Sequence, residues 1–273
     1  MLVLALLQLA QATCVERDGR GPRPDLSGPE QTLASADGRY LLHYTTEGAD
    51  RIKGTDGDDD GVPDQLQEVL LGLAIGEEAF AARGYRPVNP DDGSGGSSAV
   101  DVYMMALDAN GYATVTTSDE GQDDSCYMRL DPFNGGAVLR SVAIHEQHHC
   151  VQYAYTFHPE SWVHEATSTT EQYRLVDGLE LVLAFLWADR LEGVAIPIDD
   201  TRDRFEYAAF LVTHWWEHRG GDDALPALWE ALVEEPDWRI TLGTEAERLW
   251  GTDLTHAFTE HALANDRSEE RRV

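Results

Sequence analysis

Lysine is almost missing from this chain of 273 residues: Lys53 stands alone, and twenty basic residues in all face fifty Asp and Glu. The resulting formal charge of −30 argues against nucleic acid or an anionic membrane surface as a partner, because both would be repelled. Long apolar runs are scarce too. The one within the opening "MLVLALLQLAQATC" is too short to cross a bilayer, so stable membrane insertion is not expected. It has the length of a signal-peptide core, and Ala10-Gln11-Ala12 has the small-x-small form of a cleavage site. Residues 1–12 are therefore expected to be a signal peptide and the mature chain to be secreted. Cysteine is limited to three, and in an oxidising compartment two would pair and one be left over. Cys126 and Cys150, which flank the segment leading into a histidine-rich stretch, are the expected pair, with Cys14 the remainder.

What is present reads as a folded protein. Apolar residues make up 42% and charged residues 26%, which fits a packed domain rather than disorder. The length suits one large domain or two lobes around a shared core. Residues 13–35, rich in Gly and Pro and without periodicity, look like a linker or strand-poor leader. "YLLHYTT" (40–46), "AVDVYMMAL" (99–107), "YATVTT" and "SCYMRLD" read as strands. Leu66, Val69, Leu70, Leu73 and Phe80 recur at helical spacing after an acidic loop, and 84–98 reads as a long surface loop. From 138 onward the pattern is helical: 138–155, 161–176, 179–191, 204–220, 223–234 and 253–264.

The junction between these halves holds "AIHEQHHCVQY" (143–153). In a helix, His145 and His149 lie on successive turns about 40° apart, so both imidazoles can reach one ion. Glu146 lies about 100° from His145, beside that face, where a base can act on water without ligating the metal. This is the H-E-x-x-H pattern. The chain's composition gives about 0.03 accidental matches, and an apolar helical run just before the motif adds context. His148 falls on the flank opposite Glu146, which suits a supporting or substrate-side role better than ligation. A third ligand is required for a catalytic zinc site. The positions where one class of zinc peptidase carries Gly and a further His are here Gln152 and Tyr155, so that option fails. "ESWVHEATSTTEQY" offers Glu165 and Glu171 on the next helix instead, with Trp162 one turn before Glu165.

"HEQHHCVQY" followed by "WVHEATSTTE" resembles the arrangement of gluzincin metallopeptidases, and more narrowly a group of secreted bacterial metalloproteases of that clan. The resemblance extends through "DDDGVPDQLQEV", "GYRPVNPDDGSGG", "DVYMMAL" and "EYAAFLVTHWWEHRGG" and so covers most of 40–265. It implies His145, His149 and Glu165 as Zn2+ ligands and Glu146 as the catalytic base. The chain departs from the family pattern in two places. His148 stands where an aromatic residue is usual, and a tryptophan expected near Thr170 is absent; both bear on specificity. Glu171, two-thirds of a turn from Glu165, is expected to orient rather than bind. Tyr207 is the candidate donor to the oxyanion by its position, with His214 and Tyr173 as competitors. "SCYMRLD" is a candidate edge strand for an extended peptide, on the family's architecture.

The acidic loop "DGDDDGVPD" carries Asp56, Asp58, Asp60 and Asp64 at positions 1, 3, 5 and 9 of a calcium-type loop, with Val62 at the backbone-carbonyl position. Oxygen-only ligands favour Ca2+ over zinc. Position 12 is Gln67 rather than the bidentate acid.

The expected fold is α+β. It is a zincin-like domain over 36–268, with a mixed sheet-and-helix N lobe (36–157), a helical C lobe (158–268) and the active-site helix between them. The expected function is hydrolysis of peptide bonds in a peptide or protein substrate. The alternative is a secreted metal-binding or adhesion module without catalysis on the same scaffold.

Overall fold

The computed structural model describes residues 15–16, 23–91, 93–116, 121–176, 197–201 and 205–270. The expected signal peptide, Cys14 and the expected helix at 179–191 lie outside them. Six strands form one sheet: β1 (Val15–Glu16), β2 (Gln31–Ala34), β3 (Tyr40–Tyr44), β4 (Val100–Met104), β5 (Gly111–Thr116) and β6 (Ser125–Leu130). Their order is β1-β5-β6-β4-β3-β2. β3, β4 and β6 run parallel, while β2 and β5 pair antiparallel with β3 and β6. β1 adds in parallel to β5, with Val15 opposite Ala113. Helix α1 (Asp64–Arg83) lies between β3 and β4 in sequence. After the sheet come α2 (Ala137–Tyr153), α3 (Ser161–Leu175), α4 (Phe205–Ala208), α5 (Phe210–Gly220), α6 (Ala224–Glu234), α7 (Trp238–Trp250) and α8 (Leu254–Glu270). The class is α+β.

Three elements differ from the sequence reading. β6 is an interior strand, paired on both sides, so "SCYMRLD" offers no edge; β5 lies outside it and carries β1. Order within a sheet is decided by partners far along the chain, and alternation within one strand does not reveal it. The 13–35 stretch, read as strand-poor, contributes β2 against β3. It is mostly exposed, so it lacks the buried alternation that marks a strand. Helix α7 was not foreseen, because its buried set is short and mixed: Trp238, Thr241, Leu242, Glu245 and Ala246. Its ends are nonetheless well made. The Asp237 side chain accepts from Arg239 N at 2.9 Å, and Gly251 closes the helix at φ 67°.

Helix α2 is buried on every side from Ser141 to Tyr153, between α1, α3, β5 and β6. Such a helix has no wet face, so each polar side chain on it needs a partner inside the protein. Gln147 donates to Tyr40 Oη at 2.6 Å and to Leu73 O at 2.9 Å. Close approach of α1 depends on Gly72 and Gly76, one turn apart. A Cβ at Gly72 would lie 2.6 Å from Arg140 O, and one at Gly76 would collide with the Gln147 side chain. Among the described residues, no helix is long and apolar enough to cross a membrane.

Cys126 of β6 and Cys150 of α2, both fully buried, form the disulfide, with Cα atoms 5.6 Å apart across 24 residues. A loop of that size is worth about 3 kcal/mol of unfolding free energy through the chain entropy removed from the unfolded state. Urea unfolding with and without reductant is expected to show a loss of that order. An unchanged midpoint under full reduction would mean that packing alone holds α2 to the sheet.

Candidate metal centre

His145 and His149 project from α2 toward α3, which supplies Glu165. His145 Nε2 lies 3.1 Å from Glu165 Oε2 and 3.1 Å from His149 Nε2, and His149 Nε2 is 3.4 Å from the same carboxylate oxygen. All three residues are buried. Donor atoms bound to a tetrahedral zinc at its usual 2.0–2.1 Å would stand about 3.3–3.4 Å apart. The observed triangle has that size, so this donor set fits a small divalent cation.

Burial alone would hold Glu165 in its neutral form, but the adjacent His149 and His145 rings outweigh it, and the carboxyl is held far below its usual range. Burial likewise opposes charge on His149, yet Glu165 prevails and raises it; on His145 burial wins and the ring is less basic than usual. The centre therefore carries an anionic carboxylate that draws positive charge toward the paired imidazoles. A divalent cation would satisfy that demand better than one proton.

Several elements hold α3 in place. Trp162 is buried edge-on against Trp238, ring centroids 4.9 Å apart, as packing rather than substrate contact. Glu171 is fully buried and ion-paired to Arg83 at the end of α1, and it accepts from Tyr85 Oη at 2.8 Å. It thus ties α3 to α1. Arg83 also pairs with Glu217 of α5. The Gln172 amide donates to Ser141 Oγ at 2.6 Å and so ties α3 to α2.

Glu146 is buried beside the triangle, against the first residue of β5. A Cβ added to Gly111 would come within 2.8 Å of Glu146 Cγ and Oε1. Gly111 is therefore a site residue that sequence reasoning missed. The only signal was a glycine opening a strand, which marks close approach of another group. Tyr207 lies over His145, ring centroids 6.0 Å apart and 28° from parallel. Its competitors lie against each other instead: Tyr173 and His214 meet edge-on at 5.2 Å. His148 does not face a substrate side. It is fully buried between Phe80 and Tyr85, each 5.1 Å away, with Nδ1 3.0 Å from Ser168 Oγ.

In the acidic loop, Asp56, Asp58 and Asp60 each offer an oxygen within 4.8 Å of the others. Asp64 is not part of this group; its carboxylate accepts from Gly57 N at 2.9 Å. Val62 N donates to Asp60 Oδ1 at 2.8 Å, and the Gln67 amide donates to Asp60 Oδ2 at 2.9 Å.

Glu206, another residue the sequence did not flag, is buried on α4 next to Tyr207. Its Oε2 has no hydrogen-bond partner among the described residues. Burial first, and the Glu165 charge second, push its carboxyl up to about 8. The folded pKa lies above the unfolded one, so the folded state holds the extra proton. The stability this confers is complete below the unfolded pKa and is lost as pH rises toward 8. In metal-free protein, Glu206→Gln is expected to flatten the fall in melting temperature between pH 5 and pH 9, a gain on the order of a few kcal/mol at the alkaline end. Parallel pH profiles for the two proteins would contradict this account.

The chain matches no protein-family model and no curated protein.

Proposed function

We propose that the protein is a secreted zinc-dependent peptidase with a zincin-like fold, in which His145, His149 and Glu165 hold the metal. The observation that carries the reading is the triangle of buried donors at 3.1–3.4 Å. Two imidazoles and one carboxylate are the donor set of catalytic zinc sites, and three protein ligands leave a position for water. Bound there, zinc would supply Lewis acidity, lowering the pKa of water and polarising a scissile carbonyl. Glu146, pressed against Gly111 at the margin of the centre, accepts the proton of the attacking water and returns it to the leaving amine. Tyr207, stacked near His145, donates a hydrogen bond from its hydroxyl to the carbonyl oxygen as negative charge develops there. The Cys126–Cys150 disulfide supports an oxidising compartment.

Dialysed protein is expected to hold about one equivalent of zinc by elemental analysis, since the site is a single three-ligand set. Glu146→Gln should keep that metal while peptide hydrolysis falls by about 100-fold or more. Folded protein that takes up no zinc would defeat the proposal. Zinc at full occupancy without turnover on a diverse peptide library would instead make the chain a metal-binding or adhesion module.

For the acidic loop we infer calcium binding by Asp56, Asp58 and Asp60, with the Val62 carbonyl at the next loop position. Calcium would pin the entry to α1. Adding it to chelator-treated protein is expected to raise the melting temperature by a few degrees, as binding to the folded state requires. An unchanged midpoint would leave the loop held by its own hydrogen bonds.

A further inference from the structure

We propose that Gln152 is a positioning residue which fixes the tautomer of His149, aiming its Nε2 lone pair into the centre; the inference rests on the metal reading above. Gln152 is fully buried one turn after His149 on α2. The two ends of an amide are told apart by what surrounds them. On one side lies the backbone carbonyl of His164, 2.9 Å from the Gln152 amide, together with Thr167 Oγ1 and Ser168 Oγ at 2.9 Å each. A carbonyl can only accept, so the NH2 of Gln152 must face it. That orientation leaves Oε1 toward two ring nitrogens, His149 Nδ1 and His164 Nδ1, each 2.8 Å away. An amide oxygen can only accept, so both nitrogens carry hydrogen. Ser168 Oγ, 3.1 Å from His149 Nδ1, is a hydroxyl and suits either tautomer, so the amide decides.

With hydrogen on Nδ1, the neutral His149 ring has its lone pair on Nε2, the atom 3.1 Å from His145 Nε2 and 3.4 Å from Glu165 Oε2. The backbone carbonyl of the residue preceding Glu165 thus sets the orientation of an imidazole on another helix, through one amide. Gln152 also hydrogen-bonds the His148 ring at 2.9 Å, so the histidine expected in a supporting or substrate-side role packs behind the same device. A neutral amide in this place orients the ring without adding a second negative charge beside Glu165. The bound metal would keep a net positive charge.

The test has two independent readouts. In ring-15N-labelled wild-type protein, long-range 15N–1H spectra are expected to show His149 Nδ1 bearing hydrogen, with or without zinc, as an exchange-protected resonance. A His149 protonated only at Nε2 would overturn the proposal. Zinc affinity, measured by competition with a chromophoric chelator, is expected to fall about 10- to 100-fold in Gln152→Leu. Gln152→Met, which also lacks an acceptor opposite Nδ1, should fall by a similar factor, with folding of each variant checked by thermal melting. Equal zinc affinity in wild type and a folded Gln152→Leu would sink the positioning role while leaving the metal centre intact. Absence of zinc binding in wild type would sink the metal reading, and the Nδ1 resonance would still decide the orientation by Gln152.

Discussion

Two imidazole nitrogens and a carboxylate oxygen, held 3.1–3.4 Å apart out of water, repel one another unless positive charge stands between them. The fold spends much of its interior keeping these atoms together. Glu165 stays anionic although it is fully buried, which burial alone would forbid. Its tie to the histidine pair resists that penalty, and the neighbouring Glu206 yields to it by holding its proton. Two buried carboxyl groups near one centre are thus driven to opposite protonation states, a division typical of sites built for chemistry.

The geometry depends on α2 having no exposed side. A helix enclosed all round cannot rotate or slide without breaking contacts on another face, so His145 and His149 inherit the rigidity of the sheet and of α1. Gly72 and Gly76 let α1 come close enough to enclose it, and Gln147 fills the seam with bonds to Tyr40 and to the Leu73 carbonyl. On the other flank, Arg83 gathers Glu171 and Glu217, so one guanidinium joins α1, α3 and α5. These contacts determine where Glu165 stands relative to the two rings.

Local pattern made much of this legible. The three-four periodicity from Leu66 to Phe80 marks α1, and the His145–Glu146–His149 spacing places both rings of the candidate centre on one face of α2. The choice between Glu165 and Glu171 was less visible in spacing, since both lie on α3. They part because Arg83 and Tyr85, more than eighty residues upstream, claim Glu171. The roles of Gly111, Gln152 and Glu206 escape a local reading for the same kind of reason. Each matters through a neighbour on another element: the Glu146 side chain, the His164 carbonyl and the Glu165 charge. β6 is interior rather than an edge because sheet order is a property of all the strands at once. Within one strand, alternation reports only which faces are dry.

The bridge from Cys126 joins α2 at Cys150, the residue immediately after His149. The bond staples the histidine-bearing helix to the strand it packs on. The redox state of the surroundings thereby reaches His149 through its own backbone: oxidation fastens the helix that carries the ring, and reduction would leave its place to packing alone.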